Sequence, residues 1–334
     1  MSAAGGLMGI ESRSDTGARK REASMKVGIF LPVSGRAAAP EVLADAARQA
    51  EALGFASVWA AERMVNPWEM TTRYPYKADE QWFVPPESPF LETLTVLSFL
   101  SGVTDRVALG ASVVVLPYRH PLFTARVATS IDTLSKGRLI LGVGIGWMVE
   151  EFDALGVSFE DRAAMSAEQL RIFDLLWKDE RPQFDGRHYR FPPVAVNPRP
   201  VQQPRFPVWV GGESEPARRR AGRYGDAWFP YFVRVTPEEL SSRYENVRSM
   251  AADAGRDPDQ VRLCCCRPVE VTAEPVPQED DNLAGTPDQL IEALKRYEAI
   301  GVEHMAVQFM RGRWPERREQ IERFGQEVLP ALSG

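Results

Sequence analysis

The chain has 334 residues, 44% of them apolar and 26% charged, with a net charge of -6 from 40 basic and 46 acidic side chains. This is the composition of a folded, core-forming protein, and it excludes the disordered and collagen-like classes. The acidic balance argues against a nucleic-acid partner, because the densest basic run, Arg218-Arg219-Arg220, falls inside a predicted helix. No apolar run reaches the ~20 residues that a membrane-spanning helix needs.

Residues 1–24 are polar and rich in Gly, Ser and Ala, and they lack the apolar stretch of a secretory leader. They are expected to be a disordered extension ahead of a single domain at 25–334. From Met25 onward, strands are predicted near 26–31, 57–61, 107–115, 138–145, 207–211, 226–229, 261–271 and 304–309. Helices are predicted between and after them, near 41–53, 90–102, 122–135, 161–177, 214–224, 237–254, 287–300 and 315–331. Strict alternation of this kind implies parallel strands joined by helical crossovers. The three consecutive cysteines, Cys264 to Cys266, have neither disulfide nor metal-site spacing and read as part of a buried strand in a reducing, cytoplasmic compartment.

Three helix-to-strand junctions share a glycine, at Gly54, Gly225 and Gly301, each placed where a helix ends in the left-handed conformation. Pro40, Pro121, Pro237 and Pro287 occupy first-turn positions, with Thr236 and Thr286 as candidate caps. The recurrence favours a (β/α)8 barrel over a doubly wound sheet with a second domain. Two stretches exceed the simple unit: an aromatic- and proline-rich loop at 64–89 and a proline-rich excursion at 181–206.

In a barrel the chemistry lies at the carboxyl ends of the strands. Those positions hold Glu62 and Arg63 after strand two, Ser112, Val113 and the run Tyr118-Arg119-His120 at strand three, Gly146 and Trp147 after strand four, and Gly211, Gly212, Glu213 and Ser214 after strand five. Strand four carries glycines at spacing two, Gly142, Gly144 and Gly146, which empty one of its faces. Either a neighbouring element or a ligand fills that face. The pair Gly211 and Gly212 between a strand and a helix suits an anionic group, or is a tight turn. Glu62 and Arg63 read either as site residues or as a structural ion pair with each other, and His120 as a helix cap or a substrate-facing group. With three histidines, of which His188 and His304 lie elsewhere, no multi-histidine zinc site can be assembled, and no metal is expected.

Taken jointly, SVWAAE (57–62), RVALGASVVVLPYRHP (106–121), LSKGRLILGVGIGWMVEEFDALG (134–156), PVWVGG (207–212) and AGRYGDAWFP (221–230) resemble the luciferase-like monooxygenase superfamily. Within it the resemblance is to the class that uses the deazaflavin coenzyme F420, over about residues 25 to 330. It implies an α/β fold, a (β/α)8 TIM barrel of the bacterial luciferase-like type with insertions, and a homodimer. It further implies a flavin-type ring at the strand ends, with a non-proline cis peptide bulge at Ser112-Val113 against the ring. By the same resemblance Gly211 and Gly212, with Glu213 beside them, bind the phosphate-bearing tail, and Glu62 lies near the ring together with Gly144, Gly146 and Trp147. Trp68 and His120 are expected to face the substrate, and Glu62, Arg63 and Trp147 to take part in catalysis. Sugar-phosphate dehydrogenases of the family carry histidine and glutamate where this chain has Arg63 and Trp147, so glucose-6-phosphate oxidation is not expected. The implied reaction is hydride transfer between coenzyme F420 and a small organic substrate. The alternatives are an FMN-dependent monooxygenase and a noncatalytic flavin-binding protein on the same fold.

Overall fold

Each predicted strand is present and runs parallel to its neighbours, and the pairing of the sixth with the seventh closes the sheet on itself. The computed structural model describes residues 24–76, 79–231, 235–277 and 283–332. The expected extension at 1–24 lies outside these except for Ser24. The barrel strands are β1 (Lys26–Phe30), β2 (Ser57–Ala60), β3 (Ala108–Ala111), β4 (Leu139–Gly144), β5 (Val208–Gly211), β6 (Ala227–Phe229), β7 (Arg262–Val271) and β8 (Val302–Phe309). Their order around the barrel is their order in the chain, with β8 beside β1, which makes this a (β/α)8 TIM barrel.

Alternate residues of these strands fall into two separate apolar clusters, as the two-residue period of a strand requires. Ile29, Val58, Leu141, Val210, Cys265 and Val307 pack under the helices. Phe30, Trp59, Trp209, Phe229, Cys264 and Ala306 fill the lumen, where Trp59 stacks on Phe229 at 4.8 Å between centroids. Ser57, Trp59 and His304 form a hydrogen-bonded group at the edge of this lumen. Ser57 Oγ lies 2.7 Å from His304 Nε2 and accepts from Trp59 Nε1 at 2.7 Å.

The helices are α1 (Pro40–Leu53), α2 (Thr93–Ser101), α3 (Pro121–Leu134), α4 (Val149–Leu155), α5 (Arg162–Lys178), α6 (Glu215–Tyr224), α7 (Pro237–Asp253), α8 (Pro287–Ala299) and α9 (Trp314–Glu327). Thr236 and Thr286 form reciprocal capping boxes with Glu239 and Gln289. Gly54 and Gly301 have φ of 89° and 92°, the left-handed geometry expected of them.

Gly225 departs from that expectation. Its backbone is extended, at φ -84° and ψ 151°, and a Cβ there would press within 3.0 Å of the Ala221 and Ala227 carbonyls. It is a close-packing glycine and not a left-handed cap. The predicted strand 107–115 is broken after Ala111 and resumes only at Val114–Val115. Helix α4 and the strand Leu283–Gly285 were not foreseen, and the excursion at 181–206 holds a hairpin of Phe184–Asp185 with Arg190–Phe191.

Candidate active site at the carboxyl ends of the strands

A cavity of about 460 Å³ opens where β2, β3, β4 and β5 end. Its walls include Glu62, Arg63, Ser112, Val113, Gly144, Gly146, Trp147, Gly211, Gly212 and Glu213, so residues from four separate strand ends converge on it. A larger cavity, about 920 Å³, lies at the opposite end of the barrel among Arg205, Val208, Asp226, Arg262 and Glu303. The smaller one is the candidate site, because buried ionisable groups and the break in β3 meet there.

The break is a cis peptide between Ser112 and Val113. Facing it are the alternating glycines of β4. A Cβ on Gly142 would overlap the carbonyl oxygen of Ala111, and one on Gly144 would come within 2.6 Å of Val113 Cγ2. One on Gly146 would meet the Phe152 ring at 2.6 Å. Each of these glycines accommodates a neighbouring protein group, and Gly144 and Gly146 also line the cavity. Their emptied face admits the irregular end of β3, which in turn sets Val113 into the cavity wall.

Two buried carboxylates organise the β2 side. Glu62 lies with Oε1 2.8 Å from Arg119 Nη2, and its other oxygen accepts the N–H of Val115. Burial pushes its carboxyl up to about 7, against the lowering pull of Arg119. Arg119 also holds Glu92 at 2.6 Å. Glu151, fully buried at the start of α4, is ion-paired with Arg63 and accepts from Tyr118 Oη at 2.7 Å and from the Met64 N–H at 2.6 Å. The Arg63 guanidinium lies 4.6 Å from the Trp82 ring centre and 5.1 Å from that of Trp147. Glu62 and Arg63 therefore do not pair with each other. Each has its own buried partner, supplied from a distant part of the chain.

Next to Glu151, Glu150 accepts from the Thr71 N–H at 2.6 Å, the Thr71 hydroxyl at 2.9 Å and the Thr72 N–H at 3.0 Å. Burial raises its carboxyl, but these hydrogen bonds outweigh it and hold the group at about 2. Glu151 and Glu150 thus fix the two ends of residues 64–72, and the loop beyond carries Tyr74, Tyr76 and Trp82 into the cavity. Tyr74 packs on Trp147 at 5.1 Å, and Trp82 on Trp147 at 5.6 Å.

On the β5 side, Gly212 turns with φ +96°, Glu213 pairs with Arg243 at 3.1 Å, and α6 begins at Glu215. Arg220, the last residue of the arginine run, is half-buried on α6 and lines the cavity. No hydrogen bond or ion pair to another described residue engages it, and burial lowers its pKa.

Two predicted substrate residues lie outside. Trp68 is 76% exposed and absent from the cavity wall, because the loop turns it outward and presents Trp82 instead. His120 is exposed and accepts from the Leu122 N–H at 3.3 Å as the cap of α3. Glu151 and Arg220 were not singled out as site residues from sequence, whereas Tyr118 belongs to the run Tyr118-Arg119-His120 expected at the end of strand three. A pair of acids directly after the strand-four glycines was the available signal for the first.

Residues 25–280 match the family model for luciferase-like monooxygenases. The chain belongs to this family. With membership comes the coarse assignment of an oxidoreductase. Curated relatives include an uncharacterized protein of Mycobacterium tuberculosis that is 32% identical over 240 residues, 70% of this chain and 80% of that protein. A phthiodiolone/phenolphthiodiolone dimycocerosates ketoreductase of the same species is 32% identical over 223 residues, 65% of this chain and 58% of the relative. Among solved structures, the coenzyme F420-dependent tetrahydromethanopterin reductase of Methanopyrus kandleri superposes with a TM-score of 0.72 at 18% identity, over 93% of this chain and 99% of the other. An F420-dependent secondary alcohol dehydrogenase gives 0.74 at 18% identity over 93% and 100%. A monooxygenase of Streptomyces bottropensis gives 0.71 at 20% identity over 92% and 99%. At such identities these luciferase-like structures speak for the shared fold.

Proposed function

We propose that this luciferase-like protein transfers hydride between coenzyme F420 and a small organic substrate. The observation that carries the reading is the pairing, within one cavity, of a seat for a flat ring and a seat for an anionic tail. Ser112 and Val113, at the end of β3, line the first. The turn at Gly212 and the otherwise unengaged Arg220 form the second, with the open amides at the start of α6. The two F420-dependent enzymes that share the fold support the choice of cofactor.

The deazaflavin supplies the carbon that gives or takes hydride, and the protein orients it and excludes water. Arg63 is locked by Glu151 and the two tryptophans, so it fixes the shape of the cavity on the substrate side. Glu62, with its carboxyl near 7, holds or releases a proton at neutral pH beside the cavity wall. Gly144 and Gly146 contribute backbone, and Trp147 a wall.

Titration with coenzyme F420 and, separately, with FMN tests this. F420 is expected to bind one per chain and FMN far more weakly. Tight FMN binding with none of F420 overturns the reading in favour of a flavin-dependent monooxygenase; the Streptomyces neighbour is named a monooxygenase. Arg220→Ala is expected to weaken F420 binding by about tenfold, as loss of a charge-assisted hydrogen bond does, while leaving the affinity for a phosphate-free deazaflavin unchanged.

A further inference from the structure

Resting on the reading just given, we propose that the substrate of this site is uncharged and flat, a conjugated or aromatic carbonyl compound or the corresponding alcohol, and not an anion. A charge count of the cavity wall carries the inference. Its cationic side chains are Arg63 and Arg220. Arg220 sits with the turn at Gly211 and Gly212, where the cofactor's anionic tail claims it. Arg63 is already matched by the buried carboxylate of Glu151, and its guanidinium lies within cation–π distance of Trp82 and Trp147. The wall's acids are also matched, Glu62 by Arg119 and Glu213 by Arg243.

A substrate anion near Arg63 would therefore be buried beside Glu151 with no cation left to compensate it, and burying an uncompensated charge is costly. A cation fares no better. The aromatic faces that would receive it already hold Arg63, whose charge repels it. Tyr74 and Tyr231 add no charge, since burial raises both phenols and keeps them protonated. What remains toward the loop is an aromatic wall from Tyr74, Trp82 and Trp147, with the Tyr74 and Trp82 rings tilted at 55° to that of Trp147. Such walls are filled best by a planar, polarisable molecule.

The test uses matched probes on the full chain loaded with whichever cofactor the titration selects, so that failure of F420 to bind and failure of this inference are read separately. Benzalacetone, its para-carboxylate and its cyclohexyl counterpart are titrated against tryptophan fluorescence. Benzalacetone is expected to bind at least about tenfold more tightly than the carboxylate, and more tightly than the cyclohexyl compound. Equal or tighter binding of the carboxylate, or no binding of any probe, overturns the proposal. Glu151→Gln, which leaves Arg63 unmatched, is expected to shift the ranking toward the carboxylate by about tenfold. An unchanged ranking in a folded Glu151→Gln protein overturns the charge count, and if that variant does not fold, the wild-type ranking decides.

Discussion

At Gly142 a side chain would be driven into the carbonyl oxygen of Ala111, a backbone atom of the neighbouring strand that cannot rotate away. At Gly144 the obstacle is a methyl group of Val113, which has some freedom to move. Gly142→Ala is therefore expected to cost about 1–3 kcal/mol, read as a lowered urea midpoint at constant slope, and Gly144→Ala less. A Gly142→Ala protein as stable as the parent would show that the strands do not approach as described. The spacing of these glycines announced an emptied face, but the identity of its occupant was not legible, because Ala111 and Val113 come from another strand. Glu62 and Arg63 teach the same lesson. Their sequence adjacency suggested a pair, whereas consecutive side chains at the end of a strand diverge, and Arg119 and Glu151 were the groups within reach.

Among elements, the loop at 64–76 depends most on contacts far away in sequence. Glu151 accepts from Met64 and Val65, and Glu150 from Thr71 and Thr72, so the N-terminal turn of α4 clamps the loop that presents Tyr74 and Trp82. Glu150→Ala is expected to speed amide exchange at Thr71 and Thr72 by about tenfold or more and to raise KM more than it lowers kcat. Unaltered exchange at those two amides would remove Glu150 from this role. The clamp also has a pH signature. The folded carboxyl of Glu150, at about 2, lies below its ordinary 4.5, so its stabilisation is complete above that value and is lost as pH falls toward 2. The aromatic loop was recognisable from composition and its placement after strand two. Helix α4 was not, since seven residues between a glycine-rich strand end and Gly156 give too short a pattern to read.

For the molecule as a whole, the lumen of the barrel contains a histidine that titrates with folding. His304 is buried against Ser57, Trp59 and Trp209, and burial pushes it down to about 3 from its ordinary 6.5. Below 6.5 the unfolded chain takes up a proton that the native barrel refuses until about 3, so stability falls across that window as pH is lowered. The urea-derived stability of the parent is expected to drop by roughly 1 kcal/mol per pH unit more than that of His304→Gln between pH 6 and 4. Parallel profiles for the two proteins would show that His304 is protonated in the native state.

The order of eight strands and the (β/α)8 class followed from the sequence, because apolar periodicity, capping residues and turn glycines act over a few residues and leave a local trace. Tertiary structure decided what each site residue touches. It set Arg63 against Glu151 and two tryptophans, left Arg220 as the cavity's one cation without a described partner, turned Trp68 out to solvent and made His120 a cap. Such pairings join strand ends and loops separated by dozens of residues, and charge matching across that separation is fixed only when the barrel closes and brings them into one low-dielectric pocket.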